Sequence, residues 1–377
     1  MRINRRQFLI FLGSLIGLSS GFYWQKKRAS VDVHSSPSHL APQPLTLPTE
    51  ESITTSPAPE GLFAPVKGDI RLIVISDLNS QYGSIIYEPQ VGNAITLIPQ
   101  WQPDLILCAG DMVAGQKLSL SSPQIQAMWS GFERNIAQPL QQNHLPFALT
   151  IGNHDASGAL NSAQEFIFEK ERQIAQDYWQ KNKQNLNLKL IDESNFPFQY
   201  SFQHHGIYYS IIDASTFQLS TQSLSWLKKS LVSPEAQAAQ MRIVMGHLPL
   251  YAVAVGRNQA GEVLEKGDEL RMLLEQYHVD LYISGHHHAY FPGQQGRLKL
   301  LHAGALGSGP RPLLNGNLPP QNTLTVVDIN LKNPENKQKT IVYTTYEMKT
   351  LAVVDGQTLP EKIESYNHSW VLRDQNI

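Results

Sequence analysis

Five short stretches of the chain concentrate side chains able to hold a metal cation. They are Asp77-Leu78-Asn79, Gly110-Asp111, Gly152-Asn153-His154-Asp155, Gly246-His247 and Gly285-His286-His287-His288. Carboxylate and carboxamide oxygens suit hard cations, and imidazole nitrogen suits borderline transition metals. A cation pair about 3.5–4 Å apart, of the kind that hydrolyses phosphate esters, needs such donors and one group able to bridge. An aspartate is the natural bridge, because each of its oxygens can face one ion. Taken singly, each residue has an ordinary reading. An aspartate ending a strand is usually a turn or cap residue, as is Asn153, and a histidine before Leu248-Pro249 reads as a loop residue. All five stretches in order, each after an apolar run, point instead to metal binding. In Gly285-His286-His287-His288, alternate residues of an extended segment face one way, so His286 and His288 are expected to converge and His287 to point aside.

The intervening sequence supplies elements that would position these groups. Ile70 to Ser76 is a β-branched run, as expected for a strand buried on both faces, and it ends at Asp77. A helical stretch from Val91 to Trp101 leads to a strand from Asp104 to Cys108, which ends at Gly110-Asp111. Ser122 to Gln142 fits a helix with Pro123 in its first turn, and Pro146 to Thr150 is the next strand. This alternation implies parallel strands joined by crossover helices. Ala163 to Lys183 reads as a helix. Gln199 to Phe202 and Ile207 to Asp213 read as a hairpin around His204-His205-Gly206. A helix from Thr221 to Ser230 and strands from Arg242 to Met245 and Asp280 to Ser284 follow, the strands flanking a helix from Lys266 to Tyr277. Lys299 to Ala303, Thr323 to Ile329 and Thr340 to Tyr346 are expected to close a second sheet. The flanking Gly110, Gly152, Gly246 and Gly285 fit tight turns that let backbone pass close to an ion.

The five motifs together resemble the metal-binding set of the calcineurin-like metallophosphoesterases, over roughly residues 70 to 305. The resemblance implies an α/β fold, a four-layer α/β/β/α sandwich, with its site at the strand ends, where open α/β sheets bind ligands. It assigns Asp111 as the bridge, Asp77 and His288 to the first metal site, and Asn153, His247 and His286 to the second. Asn79 replaces the histidine of the commoner Asp-x-His pattern and is a weaker, neutral oxygen donor, or a hydrogen-bond partner for hydroxide or substrate. His154 is implied to protonate the leaving group, with Asp155 orienting it. Met112-Val113-Ala114 stands where purple acid phosphatases carry a tyrosine, which argues against a charge-transfer iron site. The implied cofactor is a pair of divalent or trivalent ions, manganese, iron or zinc.

Charge divides the chain. Residues 1–28 hold six basic residues and no acid, and setting these aside leaves 24 basic against 32 acidic residues, a balance of −8. That disfavours nucleic acid as a partner. Asn4-Arg5-Arg6-Gln7-Phe8-Leu9, followed by an apolar stretch to Leu18, resembles a twin-arginine export signal. Residues 1–28 are therefore expected to be a signal peptide or membrane anchor that engages the twin-arginine machinery and takes the protein to the periplasm or the outer face of a membrane. Residues 29–68, rich in Pro, Ser and Thr, read as a linker. Residues 69–350 read as the metallophosphoesterase catalytic domain and 351–377 as a C-terminal tail. Cys108, the single cysteine, reads as a small core residue.

The expected reaction follows. Two ions draw the phosphoryl oxygens and acidify a water, hydroxide attacks phosphorus in line, and His154 assists the departing alkoxide. The expected substrate is a small phosphorylated molecule, a monoester or a diester. Loops Asn79–Gly83, Tyr251–Val263 and Gly304–Arg311 are candidate rims of the pocket. The competing class is an exported metal-binding module without catalytic activity, for which the neutral Asn79 is the best support.

Overall fold

The computed structural model describes residues 56–332, 339–366 and 368–376. The expected signal or anchor, and the expected linker as far as residue 55, lie outside the described residues. None of the described helices is long and apolar enough to cross a membrane.

Among the described residues, fourteen strands form two sheets. In chain order they are β1 (Ile70–Ile75), β2 (Leu105–Cys108), β3 (Phe147–Leu149), β4 (Leu190–Asn195), β5 (Gln199–His204), β6 (Ile207–Ile211) and β7 (Met241–Met245). Then come β8 (Leu281–Ser284), β9 (Phe291–Gln295), β10 (Leu298–His302), β11 (Thr323–Asn330), β12 (Thr340–Glu347), β13 (Lys362–Glu364) and β14 (Trp370–Arg373). The first sheet has the order β12-β11-β1-β2-β3 and the second β13-β14-β9-β10-β8-β7-β6-β5-β4. β1, β2 and β3 run parallel, as do β6, β7, β8 and β10. Parallel neighbours require crossovers, and helices Pro89–Leu97, Ser122–Phe132 and Gly267–Gln276 lie in them. The result is the expected mixed α/β fold with two sheets. The sheets meet where the Tyr200 hydroxyl of β5 bonds both the N–H and the carbonyl of Leu149 in β3, at 2.9 and 2.7 Å. Every residue of β1 is buried, as its unbroken apolar run requires.

β4 and β9 lie outside the strands expected from sequence, the helix expected from Ala163 begins at Glu169, and three further regions differ. β11 and β12 join the first sheet, not the second: β11 lies antiparallel along the open edge of β1 and β12 along β11. Residues 351–377, read as a tail, supply β13 and β14, and β14 pairs with β9 at the edge of the second sheet. The end of the expected linker is docked on the domain, because Pro57 O and Pro65 O accept from Arg71 and Phe63 O accepts from the Tyr346 hydroxyl.

Arg71 explains that docking. It is fully buried in β1, and its guanidinium meets Asp328 of β11 through two bonds, Nε to Oδ1 at 2.9 Å and Nη2 to Oδ2 at 3.0 Å. Its other N–H groups go to the carbonyls of Pro57, Pro65 and Trp101. The fork is thus saturated, which is the condition for a buried charge to be tolerated. Removing one partner strands the other without water. Asp328→Ala is expected to lower stability by about 3–5 kcal/mol, read from the urea midpoint, whereas an unchanged midpoint would show that the pair is dispensable.

Candidate metal centre

The chain leaves five parallel strands at one end of the sheets, and each exit carries a motif: Asp77 after β1, Asp111 after β2, Asn153 after β3, His247 after β7 and His286 after β8. Asp77 and Asp111 turn sharply, with φ of 51° and 55°, as do His286 and His288 at 64° and 55°. Left-handed backbone at four non-glycine residues is strained, and such strain clusters at functional sites. It also corrects the reading of the histidine run. His286 and His288 converge through two left-handed residues, not by alternation along an extended strand. Glycine is required where backbone passes closest. A Cβ on Gly152 would sit 2.2 Å from Asp111 Oδ1, and one on Gly285 would sit 2.0 Å from Ser76 Oγ.

Two groups of donor atoms result. One oxygen or nitrogen from each of Asp77, Asp111 and His288 lies within 4.8 Å of the other two. His288 Nε2 is 3.2 Å from Asp77 Oδ1, and its Nδ1 is 2.8 Å from Gly309 O. A carbonyl only accepts, so Nδ1 carries the proton and a neutral ring turns a lone pair toward the Asp77 carboxylate. The second group surrounds Asn153 Oδ1, which has His247 Nε2 at 3.0 Å and His286 Nδ1 at 2.9 Å. Asn153 Nδ2 donates to Gln116 Oε1, which fixes the amide's orientation. His247 repeats the His288 pattern, with Nδ1 giving its proton to Ala109 O at 2.7 Å. Asp111 stands between the groups. Its Oδ1 accepts the His154 N–H at 2.8 Å, and its Oδ2, buried, has no hydrogen-bond partner. His247 Nε2 is 3.3 Å from that oxygen but closer to Asn153 Oδ1, and a single N–H does not serve both.

Buried lone pairs facing one another with too few protons between them favour a positive charge at their centre. The titration shifts express the same demand. Burial alone would raise the carboxyls of Asp77 and Asp111, yet the facing imidazoles outweigh it and hold both below the usual range. Burial alone would lower His247, yet Asp111 and Asp77 raise it to about 9. His286, where burial prevails, falls to about 4. Asp77, Asp111, His288, Asn153, His247 and His286 therefore fit a metal. Asn79 is buried beside them, its N–H on Asp111 O at 3.1 Å and its carbonyl accepting from Ser308 N–H.

Asp155 lies elsewhere than the sequence reading put it. Its carboxylate accepts four backbone N–H bonds, from Asp111, Met112, Val113 and Gly152, at 2.7–2.9 Å. It ties the second motif to the third and does not orient His154. Burial and the Asp111 charge push it up to about 7 against the pull of those amides. The partner of His154 is Gly115 O, 3.2 Å from Nδ1, and the Tyr82 ring lies 5.1 Å away. His287 is buried rather than merely turned aside: Nδ1 accepts the Val253 N–H and Nε2 gives its proton to Glu262 O. Glu262 and Gln116 carry no motif and escaped the sequence reading. Glu262 Oε2 lies 2.9 Å from His286 Nε2, and this bond, with Arg257, holds the carboxyl at about 2 against burial.

Two sheets whose strand ends gather carboxylates, imidazoles and a carboxamide around an unpartnered aspartate oxygen define an α/β protein with a candidate metal centre. The model of the calcineurin-like phosphoesterase family matches residues 70–290, more than half of the chain, and the chain belongs to that family. Among curated relatives it is similar to probable purple acid phosphatase 20 of Arabidopsis thaliana, 24% identical over 60% of this chain and 47% of that protein. It is also similar to phosphoenolpyruvate phosphatase of Allium cepa, 25% identical over 58% of this chain and 40% of that protein. The chain thus spans less than half the length of these two relatives. Among solved structures, purple acid phosphatase PPD1 from yellow lupin (Lupinus luteus) seeds shares the fold at a TM-score of 0.53 and 15% identity, over 78% of this chain and 54% of that one. GAP50, the anchor in the inner membrane complex of Plasmodium, shares it at a TM-score of 0.50 and 16% identity, over 76% of this chain and 87% of that one.

Two outcomes follow from the geometry. Gly152→Ala drives a methyl into Asp111 and is expected to abolish tight metal binding, read as metal content after dialysis; full metal content would contradict the close approach. Because the folded-state pKa of His247 is raised to about 9, its stabilising contribution in chelator-treated protein is full below its unfolded pKa of about 6.5 and is lost as pH rises through 9. Melting temperature should fall across that window and fall less in His247→Gln. Parallel profiles would contradict this.

Proposed function

We propose that the chain is a metal-dependent hydrolase of phosphate esters that holds two cations, one on each side of Asp111. The observation that carries this reading is the buried, unpartnered Asp111 Oδ2 amid converging lone pairs. Asp77, His288 and the neutral oxygen of Asn79 are assigned to the first cation, and Asn153, His247 and His286 to the second. When bound, such ions offset phosphoryl charge and bring the pKa of a water toward neutrality. Manganese, iron and zinc all suit this donor set. The stretch Met112-Val113-Ala114, where purple acid phosphatases carry a tyrosine, favours a colourless protein.

The chain's own part in the reaction is positioning and proton transfer. As a water oxygen bonds phosphorus and the ester P–O bond breaks, the leaving oxygen takes a proton from His154. Gly115 O occupies Nδ1, so Nε2 is the nitrogen that donates. Asp155 holds the turns that carry Asp111 and Asn153. The substrate class is a small phosphorylated molecule, and the acidic balance disfavours nucleic acid. The basic, then apolar N-terminus supports export through the twin-arginine machinery, to the periplasm or to an anchored position facing outside the cytoplasm.

Assay of the full chain on an aryl phosphate monoester and diester, after chelation and after adding back manganese, zinc or iron, tests the reading. Turnover restored by metal is expected; no turnover in any metal-loaded sample would favour a metal-binding module. His154→Asn should lower kcat by about 10²–10⁴-fold with metal content unchanged. Loss of metal would instead mark His154 as structural.

A further inference from the structure

One of the three imidazoles at the centre is turned around. His247 and His288 each give Nδ1–H to a backbone carbonyl and free Nε2. His286 does the reverse: Nδ1 faces Asn153 Oδ1 at 2.9 Å and Nε2 faces Glu262 Oε2 at 2.9 Å. An ionised carboxylate only accepts, so in the neutral ring the proton sits on Nε2 and the Nδ1 lone pair faces the donor cluster. Glu262 is held in its turn, with Arg257 Nη1 on the same Oε2 at 2.5 Å. Its backbone carbonyl accepts the Nε2–H of His287 at 2.9 Å, and His287 Nδ1 accepts from Val253 N–H at 3.2 Å. The loop Tyr251–Val263 thus grips two consecutive histidines of the last motif, one by a side chain and one by main chain.

We infer that Glu262 is a positioning residue that fixes His286 in the Nε2–H tautomer and presents Nδ1 to the second cation, with Arg257 fixing the carboxylate. The inference rests on the metal-dependent reading above. Its consequence is a coupling between loop and cation. A carboxylate on the far nitrogen makes an imidazole a better ligand, and removing such a partner typically costs 10–100-fold in affinity. The coupling is reciprocal: a cation that engages Nδ1 polarises the Nε2–H and strengthens the hold on Glu262, and through it on the loop. Arg257, half-buried at the loop's tip, is a tryptic site that reports this hold.

The test uses the full chain, stripped with chelator and titrated with manganese by calorimetry. Wild type, Glu262→Ala and Glu262→Gln are compared, together with the melting temperature of each metal-free protein and the rate of trypsin cleavage after Arg257. Wild type should bind two manganese ions. Glu262→Ala should bind one of them about 10–100-fold more weakly, leave the other unchanged, melt near wild type without metal, and lose the protection of Arg257 that manganese gives wild type. Glu262→Gln keeps an oxygen that accepts the N–H and keeps the main-chain bond to His287, so it should show a smaller loss at the same ion. If Glu262→Ala fails to fold, Glu262→Gln decides. Wild-type affinities in the variant that decides, with protection retained, would overturn the inference and leave the proposed function standing. A wild type that binds no manganese, zinc or iron would overturn both.

Discussion

The whole arrangement depends on one electrostatic constraint. A buried carboxylate, Asp111, keeps an oxygen without a partner while neutral imidazoles and a carboxamide turn their lone pairs toward the same corner. Such a cluster is unstable as it stands, and positive charge relieves it. In metal-free protein the relief comes from a proton, and the raised pKa of His247 is its sign. A cation provides it more fully, because one ion accepts several lone pairs at once.

The fold brings these groups together by ending strands rather than extending them. Two sheets direct the exits of β1, β2, β3, β7 and β8 to one end, and left-handed turns at Asp77, Asp111, His286 and His288 aim the side chains inward. Asp155 secures two of those turns by filling its carboxylate with main-chain N–H groups. At the opposite end of β1, the Arg71–Asp328 fork joins β1 to β11 and docks residues 57–65. β1 therefore carries a structural charge pair at its start and a candidate metal ligand, Asp77, just past its end.

Much of this was legible in the sequence because it depends on residue type and local order. Short buried strands followed by Gly, Asp, Asn or His announce themselves by composition, and the six candidate donors that the family resemblance singled out lie just past such strands. What depends on contacts between distant segments was not. Strand periodicity identified β11 and β12 but does not name a neighbour, so their place beside β1 was missed. Asp155 follows a histidine and reads as its partner, yet a short helical turn aims it at backbone amides instead. Glu262 lies 24 residues before the histidine it touches, in a loop without spacing or pattern. Only the rim position of that loop was anticipated.

The proposed function puts cations on the two sides of Asp111. Diffraction from crystals of manganese-loaded protein, recorded at a wavelength where manganese scatters anomalously, measures this directly. Two anomalous peaks are expected, one contacting Asp77 and His288, one contacting Asn153, His247 and His286, and both contacting Asp111. A single peak away from Asp111, or none in fully loaded protein, would contradict it.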